Sequence, residues 1–401
     1  MNKYENHIKF PILLFVGIIG LLTSTRSFSQ QSHDTTSTQE ILKVGPYLQA
    51  PFNSGMTIRW VTNLPCYSWV MYGTSSSLLN QKAQTIKDGL IEANNRNNSI
   101  RLENLEPNTN YYYQIYSSVI QEFHPNKIVY GETYQSPIYT FSSVDPKKEE
   151  INFSVFNDVQ GRPESFEYLL NYQGNPKKDF YFLNGDMYTF LTDENQMLDG
   201  LFSPLSKLFA SETPFILVRG NHELRGKYSR QFMDYFDGKD GRFYYSFQRG
   251  DTYFIVLDSG EDKPDDAKVY GGLIDFDSYR LEQAEWLKRE IEKPEYKKSK
   301  YKIVLSHIPL YYSNDWHGTT HIKELWGPIL NKGKIDLMIS GHTHKYGMYP
   351  PVKGKHNFDI VIGGGLKDGT RTIINVEIDK ENLHLQMFND SGELVGNLNL
   401  K

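Results

Sequence analysis

From Ile41 to Val144 apolar and polar residues alternate in short runs, among them MTIRWVT, SWVMYG, NSIRLENL, NYYYQIYSS and SPIYTF, separated by Pro, Gly and Asn clusters. A period of two over runs of this length predicts strands, because successive side chains on an extended chain point to opposite faces. No helical period interrupts them. Regularly spaced short strands predict a β-sandwich over 41–144, with Trp60 and Tyr111 to Tyr113 as core candidates. The segment DPKKEE (145–150) is charged and carries a proline, as a boundary between domains does.

From 150 to 401 the pattern changes. Apolar runs such as INFSVF, FYFLNG, FILVRG, TYFIVLD, KIVLSH, DLMISG and FDIVIGG end in polar residues or glycine and alternate with polar stretches. The stretch Glu282 to Glu292 has apolar residues at helical spacing. Strands that are apolar throughout are buried on both faces, so this half predicts an α/β layered domain, a β-sheet core flanked by helices. Its closing runs, RTIINVEI and LHLQMFND, predict two further antiparallel strands.

Residues before Ile41 follow another logic. Lys3, His7 and Lys9 precede a 13-residue apolar stretch from Phe10 to Leu22, then small polar residues up to Gln30. That pattern predicts a cleaved signal peptide at 1–30 and a secreted or periplasmic protein. The run is shorter than the ~20 residues of a membrane-spanning helix, so no permanent span is expected after cleavage. Residues 31–40 lack periodicity and predict a flexible linker. Cys66 is the single cysteine, so no internal disulfide is available. The net charge of -5 with scattered Lys and Arg gives no basic stripe, which argues against nucleic acid as a stable partner. Aromatics reach 14%, with 28 tyrosines, as expected of strand-rich chains.

The candidate chemistry lies where apolar runs end, because in open α/β sheets the functional crevice lies outside the carboxyl ends of strands. Those ends carry Asp158 and Gln160, Asp186, Asn221 with His222 and Glu223, His307, and His342 with His344. Two carboxylates, an amide and three histidines suit mixed nitrogen and oxygen metal coordination. A single catalytic zinc usually takes three protein ligands, whereas six are offered here and a carboxylate can bridge, so two ions are expected. His222, beside Asn221, is the candidate proton donor for the leaving group, with Glu223 as its orienting partner. Gln160 is either a direct or water-mediated ligand or a turn-stabilising amide. Arg162, Arg219 and Arg225 flank the motifs and could grip phosphate through their guanidinium forks, or form structural ion pairs. Asp258 reads as a cap or as an orienting group behind the site.

In order, the motifs GD (185–186), GNHE (220–223), SHIP (306–309) and GHTH (341–344) resemble those of the calcineurin-like metallophosphoesterase superfamily, purple acid phosphatase type. The stretch GPYLQAPFNSGMTIRWVT, with LENLEPNTNYYYQI, is similar to the fibronectin type III-like domain that precedes their catalytic domains. The resemblance implies Asp158 and His344 on one metal, Asp186 bridging, and Asn221, His307 and His342 on the other. The ions would be divalent or mixed-valence, drawn from Fe, Zn or Mn, and His222 would lie near the phosphate. It also places a substrate-contacting histidine in the loop DWHGTTH, where His317 and His321 are the candidates. Two positions depart from the family. The tyrosine that ligates ferric iron is replaced by Thr189, with Tyr188 one residue earlier, and Gln160 stands where many members have a histidine.

The expected activity is hydrolysis of phosphate monoesters by a metal-bound hydroxide, on a small phosphate-ester substrate. A phosphodiesterase or nucleotide hydrolase could use the same ligands, since specificity resides in loops around the cleft. A non-catalytic surface-binding module is the reading from another class.

Overall fold

The computed structural model describes residues 41–52, 54–171 and 177–401. The expected signal peptide and the linker at 31–40 lie outside these residues.

The N-terminal domain is antiparallel, built on β1 (Leu42–Gln49), β2 (Met56–Gly73), β3 (Ala93–Leu102), β4 (Asn110–His124) and β5 (Lys127–Gln135). Strand β2 pairs with β1 through residues 57–62, with β3 through 56–61 and again at Cys66 and Tyr67, and with β4 through 66–73. The register shifts between Val61 and Cys66, where the strand exchanges β1 for β4 as its second neighbour. Both halves turn Ile58, Trp60 and Val70 onto Tyr111, Tyr113, Ile115 and Phe141. The Trp60 indole N–H, which would be costly to bury unpaired, donates to Ser117 Oγ at 2.9 Å. Of the tyrosine run, Tyr111 and Tyr113 are core, but Tyr112 between them is half-exposed. Strand alternation forces that outcome.

The second domain holds two six-stranded sheets. The first, in the order β8-β7-β6-β15-β16-β17, comprises β6 (Ile151–Phe156), β7 (Phe180–Asn184), β8 (Phe215–Val218), β15 (Thr372–Ile378), β16 (Leu383–Asn389) and β17 (Leu394–Leu400). The second, in the order β9-β10-β11-β12-β14-β13, comprises β9 (Tyr245–Arg249), β10 (Thr252–Leu257), β11 (Tyr301–Ser306), β12 (Leu337–Ser340), β13 (Gly347–Tyr349) and β14 (Asp359–Ile362). A core of Phe153, Phe180, Phe182, Phe254, Ile303 and Leu337 joins them face to face. Helices cover the outer faces: α1 (Glu164–Leu170) and a partly π-wound stretch at 194–210 on the first, α2 (Phe276–Glu290) and α3 (His317–Gly333) on the second. The central strands are therefore apolar along most of their length because each sheet is sandwiched there, one face on its helices and the other on its partner sheet. The expected pair of closing antiparallel strands is β15 and β16, to which β17 adds a third.

The loop expected at DWHGTTH is instead the start of α3, which begins at His317 and seats Ile322, Trp326, Ile329 and Leu330 in the core. The N-terminal domain is locked onto the catalytic one by polar contacts. The Tyr113 hydroxyl donates to the Ser211 carbonyl at 2.6 Å, and Arg59 binds Asp237 at 2.7 Å. Among the described residues no helix is long and apolar enough to cross a membrane.

Candidate metal centre

The parallel strands β6, β7 and β8 of one sheet and β11 and β12 of the other deliver their carboxyl ends to one edge. There the chain leaves extended geometry abruptly. Asp158, Gln160, Asp186, His342 and His344 all have positive φ, between 49° and 69°, a region that side-chain-bearing residues adopt at a cost. Backbone bonds fix the turns: the Asp158 N–H donates to the Gly185 carbonyl and the Gln160 N–H to the Asp186 carbonyl, at 3.1 and 2.8 Å. Glycine precedes Asp186 because Gly185 has φ 82° and a Cβ there would lie 2.4 Å from the His307 ring.

These turns assemble two donor groups, Asp186 with His307 and His342, and Asp158 with Asp186 and His344, each with its donor atoms within 4.8 Å of one another. Asp186 belongs to both. The His307 ring donates Nδ1–H to the Asn184 carbonyl at 2.8 Å, which leaves the Nε2 lone pair for the site. That Nε2 lies 3.1 Å from Asp186 Oδ2, yet both atoms are buried and neither meets a hydrogen-bond partner in line. Two orphaned buried donor atoms facing one point are what a cation would satisfy, so the residues fit a metal. Asn221 is buried, with Oδ1 3.1 Å from His342 Nδ1, and His344 Nε2 lies 3.6 Å from Asp158 Oδ1. The Gln160 amide lies 3.0 Å from His344 Nε2, so it reaches the same corner through that histidine.

Electrostatics tell the same story. Burial pushes the Asp158 carboxyl up to about 8, against the pull of His307. Against burial, the Asp186 and Asp158 carboxylates hold His307 up to about 10, while His307 and His222 keep Asp186 below the usual carboxylate range. Burial and the neighbouring His307 charge press His342 down to about 3.

His222 is placed by its own backbone N–H, which donates to Asp186 Oδ1 at 2.9 Å. Its Nδ1–H donates to the Thr189 carbonyl at 2.8 Å, and Nε2 faces Arg225 Nη1 at 2.8 Å and Asp186 Oδ2 at 3.7 Å. Burial lowers its pKa. Arg225 in turn reaches the Glu261 carboxylate at 3.3 Å. Arg162 is held on the Val159 and Asp158 carbonyls. Arg219 is a structural ion pair, 2.5 Å from the buried Asp258 and stacked on the Phe243 ring. His317 is taken up by Asp277, at 2.8 Å.

Glu223 does not orient His222. Its fully buried carboxylate instead accepts backbone N–H bonds from Asp186, Met187, Tyr188 and Gly220, at 2.9, 2.7, 3.3 and 2.8 Å. It clamps the turn that carries Asp186. The strand-end pattern also does not single out Asp262, which is buried and 3.9 Å from His342 Nε2. The acidic pair closing the run TYFIVLDSGED is the one signal in the sequence that points to it.

Tyr188 cannot replace the missing tyrosine ligand. Its ring is buried in the apolar core against Phe232, and its hydroxyl donates to the Met197 carbonyl at 3.2 Å. The iron-loaded protein is therefore expected to lack the strong visible band of a tyrosinate-ferric site. A purple preparation that loses its colour in Tyr188→Phe would contradict this geometry.

Comparison with known proteins agrees with the architecture. Residues 151–346 match the family described as calcineurin-like phosphoesterase, and residues 44–143 match the purple acid phosphatase N-terminal domain. Probable purple acid phosphatase 20 of Arabidopsis thaliana is 25% identical over 364 residues, covering 82% of this chain and 77% of its own. Purple acid phosphatase 18 of the same plant is 28% identical over 309 residues, covering 73% of this chain and 62% of its own length. The purple acid phosphatase PPD1 from yellow lupin seeds shares the fold, with a TM-score of 0.65 at 16% identity over 88% of this chain and 73% of that one. With the catalytic and N-terminal regions both matched in order, the chain belongs to the calcineurin-like metallophosphoesterases, of the purple acid phosphatase type.

Proposed function

We propose that this protein is an exported phosphatase that hydrolyses phosphate monoesters at a centre for two metal ions. Export rests on the charged and apolar pattern of residues 3–22. The observation that carries the centre is Asp186, common to both donor groups, with its orphaned Oδ2 facing the orphaned His307 Nε2. Asp158 and His344, with Gln160 behind them, would hold one ion, and Asn221, His307 and His342 the other, with Asp186 between. Bound there, the ions supply positive charge for the phosphoryl oxygens and an activated water.

The remaining work falls to the chain. Arg225 keeps Nε and Nη2 on the Glu261 carboxylate, at 3.4 and 3.3 Å, and presents Nη1 beside His222, a charged donor suited to a phosphoryl dianion. When that dianion takes Nη1, His222 Nε2 exchanges a cationic neighbour for an anionic one, which favours its protonated form. Protonated at both nitrogens and held through Nδ1 by the Thr189 carbonyl, His222 can then deliver the Nε2 proton to the leaving oxygen.

The test is to strip the protein with a chelator, reload it with Zn, Mn or Fe, and assay para-nitrophenyl phosphate beside its bis-ester. Activity should vanish and return with metal, and the monoester should turn over at least ~10-fold faster, a difference of ~1.4 kcal/mol in barrier. Faster turnover of the bis-ester would replace this reading by a phosphodiesterase. Undiminished activity after complete stripping would end the metal reading itself.

A further inference from the structure

A second set of metal donors stands on the helical side of the molecule. His317 and His321 lie one turn apart on α3, so their rings share a face, with centroids 5.6 Å apart. Opposite them, Asp277 occupies the first turn of α2. Its carboxylate receives His317 Nε2 at 2.8 and 2.9 Å, and its Oδ1 lies 3.0 Å from His321 Nδ1. Donor atoms of all three residues fall within 4.8 Å of one another.

The framework around this set is rigid. The Trp326 indole donates to the Arg280 carbonyl at 3.1 Å, tying α3 to α2. Gly318 packs so closely that a Cβ there would lie 2.3 Å from the Glu261 carbonyl, which fixes the first turn of α3 and with it His317. Arg280, itself fully buried, donates to Asp277 Oδ1 at 2.8 Å from the inner side and orients the carboxylate, as partners behind ligating carboxylates do. Its charge also opposes a cation, so the second carboxylate oxygen and the two imidazoles must provide the binding.

The decisive detail is His321 Nδ1. It is shielded from solvent and lies 3.0 Å from Asp277 Oδ1, yet makes no hydrogen bond there. A polar atom that approaches a carboxylate out of line is unsatisfied by it, and a cation held by His321 Nδ1 together with the second carboxylate oxygen, Oδ2, would satisfy it while Oδ1 stays on Arg280. Zinc bonds of 2.0–2.2 Å in a tetrahedral shell place ligand atoms about 3.3 Å apart. The two histidine–carboxylate distances therefore need to widen by only a few tenths of an ångström, and His317 and Asp277, each about 40% exposed, are free to move and open to an entering ion.

We propose that Asp277, His317 and His321 form a separate binding site for one transition-metal ion, distinct from the centre around Asp186. Two imidazoles and one carboxylate are the donor set of a borderline cation such as zinc, with the remaining positions open to water. The set shares no ligand with the catalytic centre. The segment bearing Glu261 and Asp262 lies against both, through Gly318 on one side and through Arg225 and His342 on the other.

The experiment is equilibrium dialysis of the full chain against zinc, with bound metal counted by elemental mass spectrometry. His317→Ala/His321→Ala should hold one ion fewer than the unaltered chain, whatever total that chain holds, and Asp277→Asn should weaken the same equivalent at least ~10-fold. Equal zinc in the double variant and the unaltered chain would overturn the site. Anomalous scattering at the zinc edge from crystals of the unaltered chain decides the matter without any variant. A peak among these three side chains supports the site, and its absence there while the Asp186 centre is filled refutes it. Because the two positions are seen separately, failure of one is not failure of the other.

Discussion

Replacing Glu223 by alanine is expected to destabilise the protein by about 3 to 5 kcal/mol and to strip metal from it, although this buried side chain belongs to neither donor group. The carboxylate takes N–H groups from Asp186, Met187, Tyr188 and Gly220 in a place closed to solvent. Each buried donor left unmet costs ~1–3 kcal/mol, so four of them make a gross loss of ~4–12 kcal/mol. Part of it is returned, because burial and the neighbouring Asp186 push the Glu223 carboxyl up to about 7, and removing it relieves that cost. Against a total stability of ~5–15 kcal/mol the net loss remains large. Denaturant unfolding of the loaded protein measures it, with bound metal counted in parallel. A variant within ~1 kcal/mol of the unaltered protein, metals in place, would show that the clamp does not hold the Asp186 turn.

His222→Ala should behave in the opposite way, keeping its fold and both ions while losing turnover. The ring donates no bond to the core beyond the Thr189 carbonyl, and the backbone N–H that binds Asp186 survives the substitution. General acid catalysis contributes ~10²–10⁴-fold, and the loss should approach the upper end for an alkyl phosphate, whose alkoxide leaves poorly without a proton. An aryl ester with an acidic phenol should suffer much less. Equal losses on the two esters would reassign His222 to phosphate binding alone, and loss of metal would make it structural.

Much of the centre is legible in the amino-acid sequence, because metal chemistry restricts ligands to a few residue types and α/β sheets place them at strand ends. Asp158, Asp186, Asn221, His307, His342 and His344 stand out on those two grounds. The role of Glu223 does not, since three of the N–H groups it binds lie more than thirty residues away and no local pattern encodes them. The helix α3 is hidden for a different reason. HGTTHIKELWGPIL combines glycine, a threonine pair and Pro328, a composition of weak helical propensity, and packing of Ile322, Trp326 and Leu330 overrides it. The hairpin from β9 to β10 does carry a local signal, the two-residue turn Gly250-Asp251, in which Gly250 has φ 47°, but the apolar pattern around it does not mark β9 as a separate strand.

The left-handed turns at Asp158, Gln160, Asp186, His342 and His344 bear on how this centre could change. Stability alone would favour glycine at each of them, and a valine, isoleucine or threonine would be rejected outright by its branched Cβ. The alphabet open to mutation is thus cut to a few letters before any question of coordination arises. Asp, Asn and His are the side chains that best combine tolerance of this backbone with a donor atom, and at Gln160 the longer amide adopts it as well. Replacement at Asp158, Asp186, His342 and His344 is therefore easiest within that trio. A chain relieved of its catalytic duty would drift toward glycine at these positions, growing more stable as it lost its chemistry.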